Sequence, residues 1–239
     1  MSIADRVKIF ADGADITGIA ALARNPAIKG FTTNPTLMRA AGVRDYEGFA
    51  REALDLVRDR PFSFEVFADD AGEMRGQARR LAALAPNLYV KIPVTNTAGE
   101  STAPLIRALV GEGVKLNITA LLTPAQVATV SEALGASPHS FISVFAGRIA
   151  DTGRDPLPIM KEALDIMRGQ PGLELIWASS REVYNIYQAA EIGCHAITVS
   201  HDLLKKLSLG GKDLLELSLE TVRMFHADAT ASGFRLAAL

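Results

Sequence analysis

Cysteine is nearly absent from this sequence: Cys194 stands alone among 239 residues. A single thiol cannot close an internal disulfide, and it leaves no partner for a cysteine-based metal site. Its place between a helical segment and an apolar run reads as that of a small buried residue. Long apolar runs are missing too, since none approaches the roughly 20 residues that a membrane-crossing helix needs. The opening stretch MSIADRVKIFADGAD carries early charges and no apolar core ahead of a small-residue cleavage site, so it does not read as a secretion signal. Excess charge of one sign is also lacking. Lysine plus arginine total 25 against 27 acids, a formal charge of -2, which supplies no field to hold nucleic acid or an anionic membrane. A cytoplasmic protein with small-molecule partners is the expectation. No proline-, glycine- or serine-rich linker and no charge block divides the chain, so a single domain over 1–239 is expected.

What is present is a repeated alternation. Eight short β-branched or aromatic runs occur: VKIFAD (7–12), GFTTN (30–34), FSFEVFA (62–68), LYVKIPV (88–94), KLNITAL (115–121), FISVFAG (141–147), LELIWAS (173–179) and AITVS (196–200). Most are apolar without strict alternation, as parallel strands covered on both faces should be. Between them lie segments such as YEGFAREALDLVRD, DAGEMRGQARRLAALA and DPLPIMKEALDIMRG, whose apolar residues recur every three or four positions. Eight strand–helix units in a chain of this length predict an α/β fold, a (β/α)8 TIM barrel. The segment over about 212–233 lies beyond the eighth unit and reads as an extra C-terminal helix, packed on the barrel or on a neighbouring subunit.

In such a barrel the active site forms at the C-terminal ends of the strands. Polar residues stand there in every unit: Asp12, then Thr33 and Asn34, Glu65, Lys91, Asn117 and Thr119, Ser143 and Arg148, Ser179 and Arg181, and finally Thr198 and Ser200. Polar groups from eight strands inside one barrel are costly unless they bond one another or a ligand.

Lys91 is the strongest single signal, because YVKIPV surrounds it with apolar residues. Burial favours the neutral amine over the free-lysine value of about 10.4, and a neutral amine can attack a carbonyl to form a Schiff base. A structural ion pair at the barrel mouth is the plainer alternative. Lys8 and Lys115 fall near strand beginnings, at the opposite rim. Schiff-base chemistry also needs proton carriers, and Asp12 and Glu65 are the carboxylates available. Arg148 and Arg181 follow strands six and seven, where barrels often hold phosphate, and the S-x-x-E run Ser179–Glu182 predicts a capping box beside them. A phosphorylated substrate is expected, with solvated surface charge as the alternative for each arginine. His139, His195, His201 and His226 show no metal-ligand spacing and read as structural or surface residues, with only His201 near the expected mouth.

FADGAD, TTNPT, YVKIP, LNITAL, SVFAGRIAD and WASSR, in this order, resemble the transaldolase and fructose-6-phosphate aldolase family over nearly the whole chain. The resemblance implies a class I mechanism: Lys91 forms an imine with a ketose carbonyl, and a dihydroxyacetone unit is carried on the enzyme. It casts Asp12 as the base that takes the hydroxyl proton when the carbon–carbon bond breaks. Asn34 and Ser143, with Thr33 beside them, resemble binders of the dihydroxyacetone moiety. Glu65 and Thr119 resemble the pair that activates the catalytic water, with Asn117 in support. Arg148 and Arg181, with Ser179, resemble the clamp for a sugar phosphate. The aldolase branch typically has glutamine at Glu65 and tyrosine at Phe145, so both residues favour transaldolase, although the chain is closer in size to the aldolases. The rivals are an aldolase that releases free dihydroxyacetone, and a barrel that only binds a sugar phosphate. No metal or organic cofactor is expected, and a homo-oligomer is.

Overall fold

A computed structural model describes residues 3–135, 137 and 139–236. The first half of the chain runs β1 (Lys8–Asp12), α1 (Ile16–Ala23), β2 (Ile28–Thr32), α2 (Pro35–Ala40), α3 (Tyr46–Leu56), β3 (Phe62–Glu65), α4 (Ala71–Ala82) and β4 (Leu88–Pro93). The second runs α5 (Ala103–Gly111), β5 (Leu116–Leu121), α6 (Pro124–Leu134), β6 (Ser140–Val144), α7 (Ala146–Asp151), α8 (Leu157–Ile166), β7 (Leu173–Trp177), α9 (Tyr184–Glu191) and β8 (Ala196–Ser200). After β8 come α10 (His201–Lys206) and α11 (Leu214–Ser232). The strands pair in sequence order, all parallel, and β8 returns to β1, closing a (β/α)8 TIM barrel.

Two compact units divide between Leu204 and Lys205. The first holds the barrel. The second holds α11, which Asp213 caps by accepting from the backbone N–H groups of Leu215 and Glu216. Left-handed Gly233 (φ 67°) ends that helix, a conformation that costs glycine nothing. None of the residues of α11 is buried, and Leu215, Val222 and Phe225 are exposed. Among the described residues no helix is long and apolar enough to cross a membrane.

The strands differ from their sequence runs at the ends, for local reasons. The second run is displaced to Ile28–Thr32, because Asn34 leaves the strand to cap α2, accepting from the Leu37 N–H, with Pro35 in the first helical turn. The sixth stops at Val144, because Phe145 begins α7. The third stops at Glu65.

Side chains alternate across each strand, which divides the buried residues into two sets. Ile9, Phe64, Val90, Ile92, Ile118, Ile142 and Leu175 supply the set packed toward the helices, each fully buried. Phe10, Tyr89, Phe141, Ile176, Ala178 and Ala196 cluster as an apolar floor within the barrel, with Phe145 packed against it. Phe10 and Phe141 meet edge to face at 5.4 Å between ring centres. Gly30 makes room for this floor, since a Cβ there would stand 2.7 Å from the Phe10 ring. The residues that continue these inward rows toward the C-terminal strand ends are polar.

Candidate active site

Parallel register decides which polar groups meet. Glu65 lies beside Lys91, and Lys91 beside Asn117. Lys91 is buried at 6% exposure on β4. Its Nζ lies 3.0 Å from Glu65 Oε2 and donates a 3.0 Å hydrogen bond to the Thr33 carbonyl. A buried ion pair of this kind is weak support for stability, because the cost of drying both charges offsets their attraction.

Asp12, at the end of β1, accepts a 2.7 Å hydrogen bond from the Thr32 hydroxyl. Desolvation raises its proton affinity above the ordinary carboxylate range, and the Glu65 charge reinforces this. Lys91, the Thr32 hydrogen bond and His201 pull the other way. Tyr46 of α3 donates to the Glu65 carbonyl at 2.5 Å, and burial raises its phenol. The end of β3 is thus tied to the helix that covers it.

Deeper in the barrel runs a short chain of amide and hydroxyl bonds. Ser143 donates to Asn117 Oδ1 at 2.8 Å, and Asn117 Nδ2 donates to Ser63 Oγ at 3.0 Å. All three are buried, so the Asn117 amide is fixed in orientation by Ser143 on the adjacent β6 and by Ser63 on β3, two strands away. The hydroxyls of Thr33 and Thr119 are buried with no hydrogen-bond partner among the described residues.

A pocket of about 540 Å3 opens above these groups, at the C-terminal strand ends. Of the residues singled out in the sequence it is lined by Asp12, Asn34, Glu65, Lys91, Phe145, Arg148, Ser179 and Arg181. Thr198 and Ser200 also reach it. Thr33, Asn117, Thr119 and Ser143 are not in the lining. Sequence reasoning passed over Ser63, Thr32 and Asp151. Ser63 had a signal, for it stands two residues before Glu65 and so shares its face.

At the side of the pocket that carries both arginines, Arg148 is exposed, its guanidinium 5.3 Å from the centre of the Phe145 ring. Arg181 grips Asp151 through three contacts, the shortest 2.6 Å. Paired hydrogen bonding raises the arginine and lowers the carboxyl of Asp151. The expected Ser179–Glu182 capping box does not form. Helix α9 starts only at Tyr184, and Val183 precedes it with no side-chain cap. Instead Asn185 Oδ1 accepts from the N–H groups of Arg181 and Glu182, satisfying the loop from inside the helix. A capping box does form at Thr123 with Gln126.

Ser179 adopts a left-handed conformation (φ 59°), and its carbonyl passes close to Gly147. A Cβ at Gly147 would stand 1.6 Å from that oxygen, so only glycine fits. Gly147→Ala is expected to cost about 3 kcal/mol and to loosen both arginine loops. A thermal melt within a degree or two of the parent would contradict this close approach.

Larger clefts of about 830 and 760 Å3 lie at the other end of the strands, where Lys8 pairs with Glu174. His195 accepts from the Leu175 N–H there, and His139 approaches Glu174 at 3.7 Å. Cys194 is buried, donating to the carbonyls of Leu175 and Ala196, and burial pushes its thiol up to about 12. Among the described residues no cluster of histidine, cysteine or acid could hold a metal.

Fold and pocket together define a class, a (β/α)8 barrel in which a buried lysine and two carboxylates converge on one pocket at the C-terminal strand ends. Residues 9–236 match the transaldolase/fructose-6-phosphate aldolase family, and the chain belongs to that family of aldolase-type enzymes. It is 36% identical over 203 residues to probable transaldolase 2 of Listeria monocytogenes, covering 84% of this chain and 88% of that one. It is 34% identical over 203 residues to a probable transaldolase of Rhodospirillum centenum, covering 84% of each. Orotidine 5'-monophosphate decarboxylase from Metallosphaera sedula superposes with a TM-score of 0.55 at 13% identity, over 91% of this chain and 97% of that one. That likeness is one of fold alone.

Proposed function

We propose that this protein is a transaldolase, moving a dihydroxyacetone unit from a ketose phosphate to an aldose phosphate through a Schiff base on Lys91. The observation that carries the reading is the buried Lys91 amine, 3.0 Å from Glu65 and within the field of Asp12, on a pocket that also holds two arginines. Glu65 is placed to take the ammonium proton and free the amine for attack on the ketose carbonyl. The carbinolamine then loses its oxygen as water, for which Glu65 and Thr119 are the proposed proton carriers. Asp12 takes the proton from the donor hydroxyl as the adjacent carbon–carbon bond breaks. The aldose phosphate leaves, and the electron pair stays on the dihydroxyacetone carbon as an enamine conjugated with nitrogen. An acceptor aldehyde reverses these steps, and water then releases the product from Lys91.

Arg148 and Arg181 are the proposed phosphate holders, with Ser179 beside them. Asn34, Ser143 and Thr33 are the proposed partners of the donor hydroxyls, and Asn117 braces Ser143. A metal or organic cofactor has no part in this scheme, since the iminium nitrogen is itself the electron sink. Reduction with borohydride in the presence of fructose 6-phosphate tests the reading. A stable adduct is expected on the peptide containing Lys91, and failure to label with any ketose overturns the covalent mechanism.

The transferase character is proposed to rest on Phe145, which packs against the barrel floor and carries no proton to give. A phenol at that position could protonate the enamine and release free dihydroxyacetone. Phe145→Tyr is therefore expected to raise donor release without acceptor about tenfold relative to transfer, a change of about 1.4 kcal/mol in relative barriers. Unchanged partitioning between release and transfer would discredit this role.

A further inference from the structure

His201 follows β8, whose register sets Ser200 beside Asp12, so the imidazole starts one residue past the level of the carboxylate. Two glycines receive it. A Cβ on Gly13 would stand 2.7 Å from His201 Nε2, and one on Gly18 would stand 2.5 Å from Nδ1. The point next to Gly18 is also 2.7 Å from Asp15 Oδ2, the carboxylate that caps α1. The half-buried ring therefore spans from the residue next to Asp12 at one nitrogen to the neighbourhood of Asp15 at the other. This is a fitted seat, for any side chain at either glycine would expel the ring.

We propose that His201 is a positioning residue of the active site, whose imidazole, seated between Gly13 and Gly18, carries positive charge beside Asp12 and keeps that carboxylate ionised for proton abstraction. The proposal rests on the role given to Asp12 above. The charged groups facing Asp12 are Lys91 from β4, Glu65 from β3 and His201 from α10. Asp12 and Asp15 are carboxylates near His201, α1 itself, ITGIAALA, brings no titratable side chain, and Asp202 and Lys205 share the helix of His201. Of the two cations that act on Asp12, Lys91 passes its charge to the iminium, which keeps it only until the carbon–carbon bond breaks and the nitrogen takes up the electron pair. The His201 imidazole is the other, and it takes no part in that change. A neighbouring cation lowers a carboxyl pKa, and His201 acts on Asp12 in that direction, so it extends the range over which Asp12 is available as a base.

The test is the pH profile of kcat/KM for native protein and His201→Gln, a neutral side chain of similar reach. The acid limb is expected to move up by about one unit in the variant, because Asp12 then holds its proton to higher pH. Gly13→Ala, whose Cβ would meet the His201 ring first, is expected to move it in the same direction. Proton NMR reads the same coupling from the other side, with the His201 resonance titrating about one unit lower in Asp12→Asn than in the native protein. An acid limb unmoved in both variants, or a His201 titration indifferent to Asp12, overturns the proposal. Borohydride trapping at Lys91 in His201→Gln separates the two levels. A variant that still traps ketose but keeps the native pH profile removes only the role of His201, whereas native protein that never traps removes the aldolase mechanism beneath it.

Discussion

Lys91→Met is expected to abolish turnover while the barrel stays folded, with kcat/KM down by a factor on the order of 10⁵. The loss corresponds to about 7 kcal/mol of barrier, the advantage of splitting one difficult bond cleavage into steps with a nitrogen electron sink. Methionine matches the lysine stem in length and flexibility, so Ile92 and Val90 of β4 keep their packing. What is removed is the ammonium, its hydrogen bond to the Thr33 carbonyl and its pairing with Glu65. Glu65 faces the pocket at 19% side-chain exposure, where water can reach it, so the uncompensated charge costs at most a few kcal/mol. Circular dichroism should therefore be native, and borohydride with ketose should leave no adduct. Appreciable turnover by Lys91→Met would remove the Schiff base, whatever the pocket holds.

Asp12→Asn is the second large effect, and it separates chemistry from covalent capture. Asparagine keeps the shape and can still meet the Thr32 hydroxyl, but it cannot accept the substrate proton. Loss of one well-placed general base lowers kcat by about 10² to 10⁴, so a fall within that range is expected. Lys91 is untouched, and trapping of ketose at Lys91 should persist. The same substitution is expected to stabilise the protein at neutral pH. The folded protein binds the Asp12 proton more tightly than the unfolded chain, so ionising the carboxyl in place costs stability, increasingly as pH rises above its ordinary 3.8. Asparagine removes that cost. Denaturant unfolding should show the variant more stable than the parent at pH 7, with the gain shrinking as pH falls toward 3.8. A variant less stable at pH 7 would mean that Asp12 is ionised in place at no cost, and that burial does not govern it.

The strand count, the closed barrel and the inward lysine were all legible in the sequence, because each rests on local periodicity. Eight apolar runs alternating with helical segments leave few other architectures, and VKIP is conspicuous because it puts an ammonium in an apolar strand. Strand ends were less legible. The run 30–34 slid to Ile28–Thr32 because Asn34 is both a pocket residue and a helix cap, and a cap pulls its residue out of the strand. The S-x-x-E pattern at Ser179 matched a capping box by spacing, yet the backbone turns left-handed at Ser179 and Asn185 takes over the loop.

Sequence alone determined which residue types stand at the mouth of the barrel, since strand order and period place them there. Tertiary structure alone decided their pairings: Glu65 against Lys91, Arg181 with Asp151 thirty residues earlier, Asn117 locked between Ser63 and Ser143, and His201 in a seat cut by two glycines. Each of these contacts joins groups from different strand–helix units. Their distances follow from the register of the closed sheet and the course of the loops, which are set by packing across the whole barrel rather than by neighbours along the chain.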